Sequence, residues 1–152
     1  MLITIALCFM LSTNAQAASF NLRFERLTEA LAGLKEMDRS ILQRAVESIK
    51  RGESASALAQ LSALNKNYPM NSSLRILTAY ALLETGNLLG AFDEAKKAEI
   101  SPGGNSYKCW FLAKVAFMAG DNAVCKRELE HARNDKTDSE DVRALKKELN
   151  KK

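Results

Sequence analysis

The sequence predicts an all-helical fold made of repeated helix–turn–helix units, on three observations. The first is composition. Ala and Leu dominate, Val, Ile and Thr are few, aromatics are 7%, and the 152 residues include only 7 Gly and 2 Pro. That balance suits helices and disfavours a β-sandwich or barrel. The second is a period: Gly52, Gly86 and Gly120 are spaced by 34 and 34. The third is a set of columns sharing that period. Seven residues before each glycine stands Ala45, Ala79 or Ala113; five after it stands Ala57, Ala91 or Cys125; twelve after it stands Leu64, Ala98 or Ala132. Apolar residues at 47% and charged residues at 26% describe a chain able to fold, with length for one domain or a short array.

Taken in order, the chain opens with an uncharged, mostly apolar run over residues 2–12. At 11 residues it is short of the roughly 20 that a membrane-spanning helix needs, and it matches the apolar stretch of a secretory signal peptide. No Lys or Arg precedes it. Ala15-Gln16-Ala17 supplies a small-x-small cleavage signal, so residues 1–17 are expected to be a signal peptide and the protein periplasmic or secreted. The alternative is a short buried helix at the start of the domain. Lipidation at Cys8 is disfavoured because Leu7, not a small residue, precedes it. Next, Phe20, Phe24, Leu27, Leu31 and Leu34 recur at 4, 3, 4 and 3, one face of a helix over about 20–36. This N-terminal amphipathic helix, within 18–37, is expected to cap the first repeat; a docking or self-association surface is the alternative.

The repeated unit has a physical reading. Glycine ends a first helix because it tolerates the left-handed conformation needed there. The small columns let two antiparallel helices approach closely. Pro69 and Pro102, 17 and 16 residues after their glycines, stop the second helix. On these residues, 38–137 resembles three tetratricopeptide repeats: Asp38–Asn71, Ser72–Asn105 and Ser106 to about Thr137. The large aromatic that the family places early in each first helix is Ile41, Arg75 and Cys109 here, with Trp110 one residue late. The Gly expected inside the first helix is Ala each time. The resemblance implies a right-handed superhelical solenoid with flanking capping helices. At the C-terminal end, 138–152 reads as a capping helix: Thr137 to Glu140 has capping-box spacing, and Val142, Leu145 and Leu149 form one stripe among lysines.

Little in the chain suggests catalysis. There is no Gly-rich phosphate loop, paired-carboxylate motif or Ser/His/Asp order, and Gly103-Gly104 reads as a loop. The single histidine, His131, excludes a multi-histidine metal site and reads as a solvated helix-surface residue. No metal, cofactor or catalytic residue is expected, and a net charge of +4 is too weak to imply nucleic acid. Cys109 and Cys125 lie 11 residues before and 5 after Gly120, a mismatch of about 9 Å along antiparallel helices. A disulfide wants Cα atoms within about 7 Å, so both read as packing residues, although a shifted helix offset would permit the bond.

The resemblance also implies that the first helix of each repeat lines a concave face. In the 34-residue register that face would carry Leu42, Val46 and Ile49, then Ile76, Tyr80 and Leu83, then Tyr107, Trp110, Lys114 and Phe117. This is an apolar, aromatic trough, suited to a partner helix or peptide. The alternative is that neighbouring repeats or the flanking helices cover it. Lys50 and Lys114 alone are a poor set for clamping a terminal carboxylate. The expected function is a non-catalytic, exported scaffold or adaptor, by analogy for envelope, pilus or secretion-system assembly. The alternative is a periplasmic chaperone or maturation factor holding a client or enzyme subunit. Amino-terminal sequencing of the protein from its native compartment should read Ala18 first; an intact Met1 on the soluble cytoplasmic protein would contradict the export reading.

Overall fold

A computed structural model describes residues 22–31, 33–103, 106–133 and 140–151. The expected signal peptide, Phe20 and Thr137 to Ser139 lie outside the described residues. Among those described there are seven α-helices and no strand. They are α1 (Glu36–Lys50), α2 (Ser54–Asn67), α3 (Ser72–Glu84), α4 (Leu88–Ile100), α5 (Tyr107–Met118), α6 (Asn122–Arg133) and α7 (Glu140–Leu149), preceded by a 3-10 helix over Phe24–Leu31. Each α-helix packs on the next in sequence, most extensively within the hairpins α1–α2, α3–α4 and α5–α6.

The hairpin turns follow one local design. Gly52, Gly86 and Gly120 have φ of +76°, +82° and +79°. In the first turn, Gly52 N–H donates to the Ile49 carbonyl at 2.9 Å and Glu53 N–H to the Ser48 carbonyl at 2.8 Å. The same pair recurs as Gly86 to Leu83 with Asn87 to Leu82, and as Gly120 to Phe117 with Asp121 to Ala116. This is the left-handed glycine cap, which satisfies carbonyls that the ending helix leaves open. The following residue then starts the next helix. Asn87 Oδ1 accepts from Gly90 N–H at 2.9 Å, and Asp121 Oδ1 from Val124 N–H at 3.0 Å. Glu53 makes no such side-chain cap in the first turn. Gly90 has its own reason: a Cβ there would come within 2.7 Å of the Asn87 side chain that caps the helix.

All nine residues in the three small columns are buried. Ala45, Ala79 and Ala113, then Ala57, Ala91 and Cys125, are each 0% exposed; Leu64, Ala98 and Ala132 are at most 2%. They belong to a single core with Leu61, Leu74, Leu77, Phe111 and Leu112. Helices α2 and α4 end before their prolines, at Asn67 and Ile100. Cys109 and Cys125 form no disulfide with each other, and Cys125 is fully buried in its column.

Two places depart from the sequence expectation. The single helix expected over 20–36 is a 3-10 helix over Phe24–Leu31, and Gly33, at φ +79°, separates it from α1. Of the expected apolar face, Leu27 and Leu34 are buried and Phe24 is half-buried; Leu22, outside that pattern, is buried as well. The second is the packing around Arg75, a residue that the resemblance already marks as replacing an expected aromatic. Its guanidinium pairs with Glu94 of α4 at 2.7 Å and donates from Nε and Nη2 to the Pro69 carbonyl at 3.2 and 3.1 Å. Both charged side chains are largely covered, 16% and 14% exposed. These contacts join α3, α4 and the preceding turn. In the register, Ala91 lies where α3 and α4 touch, so Ala91→Leu should overpack that contact and cost about 1–3 kcal/mol. A thermal melt unchanged within error would contradict the packing register.

Candidate functional site

The face expected to carry a partner is built from α1, α3 and α5. Helices α3 and α5 are apolar nearly all round, as befits helices covered on most sides. Of the expected trough residues, Leu42, Ile49, Ile76, Leu83, Tyr107 and Trp110 are buried. Val46, Tyr80, Lys114 and Phe117 are half-buried. The structure brings them into one core cluster with both flanking segments, apart from Lys114 at its edge. Tyr107 and Trp110 stack with ring centroids 5.1 Å apart.

What covers them is the chain itself. The 3-10 helix packs on α3, and α7 packs on α5 and α6. Lys50 Nζ at the end of α1 sits 5.1 Å from the Phe24 ring centroid. The backbone N–H of Arg23 donates to the Tyr107 hydroxyl at 3.0 Å. Lys114 pairs with Glu148 of α7 at 3.1 Å. The two covering segments are also tied to each other. Arg23 Nε and Nη2 donate to the two oxygens of Asp141 at 2.5 and 3.1 Å, a two-pronged pair that raises the guanidinium pKa further. Beneath this junction lies a cavity of about 20 Å³, lined by Arg23, Ser106, Tyr107, Trp110 and Asp141 among others, with room for about one water.

Burial sets the titration of this face. The Tyr107 phenol is pushed up to about 12, chiefly by desolvation, against a smaller opposing effect of the Arg23 N–H. Tyr80 is raised further, again by burial first and then by the charge of Glu84 and a hydrogen bond to it. Neither is placed to act as a base near neutral pH.

The sequence reading made His131 a solvated surface residue. Its side chain is 50% exposed, but Nδ1 lies 3.2 Å from Oε2 of Glu128, whose side chain is wholly buried. Glu99 and Cys109 approach the same point, so four metal-capable side chains gather where α4, α5 and α6 meet. With a single histidine in the chain, the set is mixed, two carboxylates, a thiol and an imidazole, at a place where the sequence suggests no metal site. The legible signal was Glu128-x-x-His131, since residues three apart share a helix face. Glu99 and Cys109 are brought in by hairpin packing, which no local spacing announces.

No family model matches the chain, and no curated protein matches it either. No described helix is long and apolar enough to cross a membrane.

The Tyr107 phenol supplies a test of burial on this face. An unfolded tyrosine titrates near pH 10, so the folded protein holds this proton to higher pH. The associated stability is complete below about pH 10 and falls as pH rises toward about 12. Tyr107→Phe should lessen that alkaline loss in a series of thermal melts, beside a pH-independent cost of about 1 kcal/mol for the missing hydrogen bond. A difference between the two proteins that stays constant through this range would contradict the burial of the phenol.

Proposed function

We propose that the protein is a non-catalytic scaffold or adaptor: an exported, tetratricopeptide-like helical solenoid that takes a helical segment of a protein partner on the face of α1, α3 and α5. The observation that carries this reading is the occupant of that face. A short amphipathic segment, Leu22 to Leu31, packs on α3 and reaches Lys50 of α1 through Phe24 and Tyr107 of α5 through the Arg23 N–H. It sits where a bound amphipathic segment would sit in a helix-in-groove complex. The 3-10 form suits displacement. Such helices have poorer hydrogen-bond geometry than α-helices and rarely exceed 3–4 residues, whereas this one runs for eight. A partner helix with a longer apolar face could replace it, and the half-buried Val46, Tyr80 and Phe117 would become contacts.

The glycine turns, the buried small columns and the sequential packing of hairpins support the repeat architecture. Export rests on the apolar run and the Ala15-Gln16-Ala17 signal. A role in envelope, pilus or secretion-system assembly would follow from that location.

The test places a photo-crosslinking phenylalanine analogue at Phe117 in the cells that make the protein. Trp110 is unsuitable because its burial makes it part of the core. The wild-type background is compared with Arg23→Ala, which removes the guanidinium tie to Asp141 and loosens the cover. An adaptor should give one dominant crosslinked partner, several-fold stronger in the Arg23→Ala background. A chaperone would give a broad ladder of clients. No crosslink in either background would contradict partner binding on this face.

A further inference from the structure

The geometry points to a zinc(II)-class metal site formed by Glu99, Cys109, Glu128 and His131, a clamp across the second and third hairpins. Glu99 stands near the end of α4, Cys109 in the first turn of α5, and Glu128 and His131 on α6. One donor atom from each lies within 4.8 Å of every other. Zinc holds its donors at about 2.0–2.3 Å in a tetrahedron, which sets them roughly 3.3–3.8 Å apart. The Glu128 Oε2 to His131 Nδ1 distance, 3.2 Å, is already close to such an edge. The remaining gaps need about 1 Å of side-chain adjustment.

A second observation is the burial of Glu128. On the core-facing side of α6 its neighbours are Cys125, Leu129 and Ala132, all buried, and its own side chain is 0% exposed. A carboxylate in such a place is costly unless it is paired or bound to a metal. Arg127 Nε reaches only Oε1, at 2.7 Å, leaving Oε2 facing His131. With Cys109 as thiolate, the four donors carry three negative charges. A divalent cation and the Arg127 guanidinium neutralise them, with Arg127 orienting the carboxylate from the second layer.

The donor set chooses the metal. Calcium and magnesium take oxygen ligands, whereas one sulfur, one imidazole nitrogen and two carboxylate oxygens suit zinc. Four protein ligands close the coordination sphere, which is the pattern of a structural site, not a catalytic one. Bound there, zinc would join α4 to α5 and α6 across the connection that contains Pro102. The half-exposed His131 gives the ion a way in.

The test uses the full chain, stripped with a chelator and titrated with zinc(II) alone by calorimetry, with cobalt(II) as a spectroscopic probe. The expected result is one zinc per chain, a raised Tm, and a thiolate-to-cobalt charge-transfer absorption. Cys109→Ser should abolish that absorption. Both Cys109→Ser and His131→Ala should weaken zinc binding by more than about 100-fold, beyond the usual effect of losing an outer-layer partner. Cys125→Ala, which restores the residue that the other two hairpins carry at this position, should leave the absorption and the affinity unchanged. His131 is half exposed, so its substitution decides the matter even if Cys109→Ser folds poorly. Absence of stoichiometric zinc, or zinc binding that His131→Ala leaves intact, would overturn the site.

Discussion

The three helical hairpins are registered from three backbone positions that only glycine occupies comfortably. Gly52, Gly86 and Gly120 turn the chain through a left-handed conformation, and the same two hydrogen bonds close each turn. Each cap fixes where one helix stops and, through the next residue, where its partner starts. The offset between paired helices is then set, and residues seven before and five or twelve after the glycine arrive at the helix contact. A residue with a Cβ would find space at these positions, so sterics with neighbours do not explain the glycine. The backbone conformation does, at roughly 1–2 kcal/mol for an L-residue.

This is why the hairpins were legible in the sequence. Cap, turn and small columns are all local, and a 34-residue period triplicates the signal. Arg75 shows where a local reading weakens. The missing aromatic pointed to a change in packing, but the substitute is an ion pair with Glu94, nineteen residues away on the next helix. Only the hairpin geometry joins the two.

The candidate sites were legible by halves. The resemblance puts Leu42, Ile76, Tyr80, Tyr107 and Trp110 on one concave face; all five lie in or against the core, Tyr80 only half-buried. What lies over them depends on where the chain ends fold back. The heptad-like stripe of 20–36 showed an apolar segment without showing its helix type, because Gly33 breaks the pattern that the leucines continue. The four-donor cluster shows the same limit. Glu128 and His131 share a face by spacing alone, while Glu99 and Cys109 come from other helices, and a buried glutamate in a polar-looking helix reads as a surface residue.

The tie between Arg23 and Asp141 spans 118 residues of sequence. In an open row of helical hairpins each unit touches only its neighbours, so the ends can fray while the middle persists. Here the first and last described segments clasp each other over the central helices, and releasing either one exposes the middle as well. Such a closed arrangement raises contact order, because its final contacts must wait for a long loop to close. The clasp thus gives the two ends of the chain a direct contact that a one-dimensional row lacks.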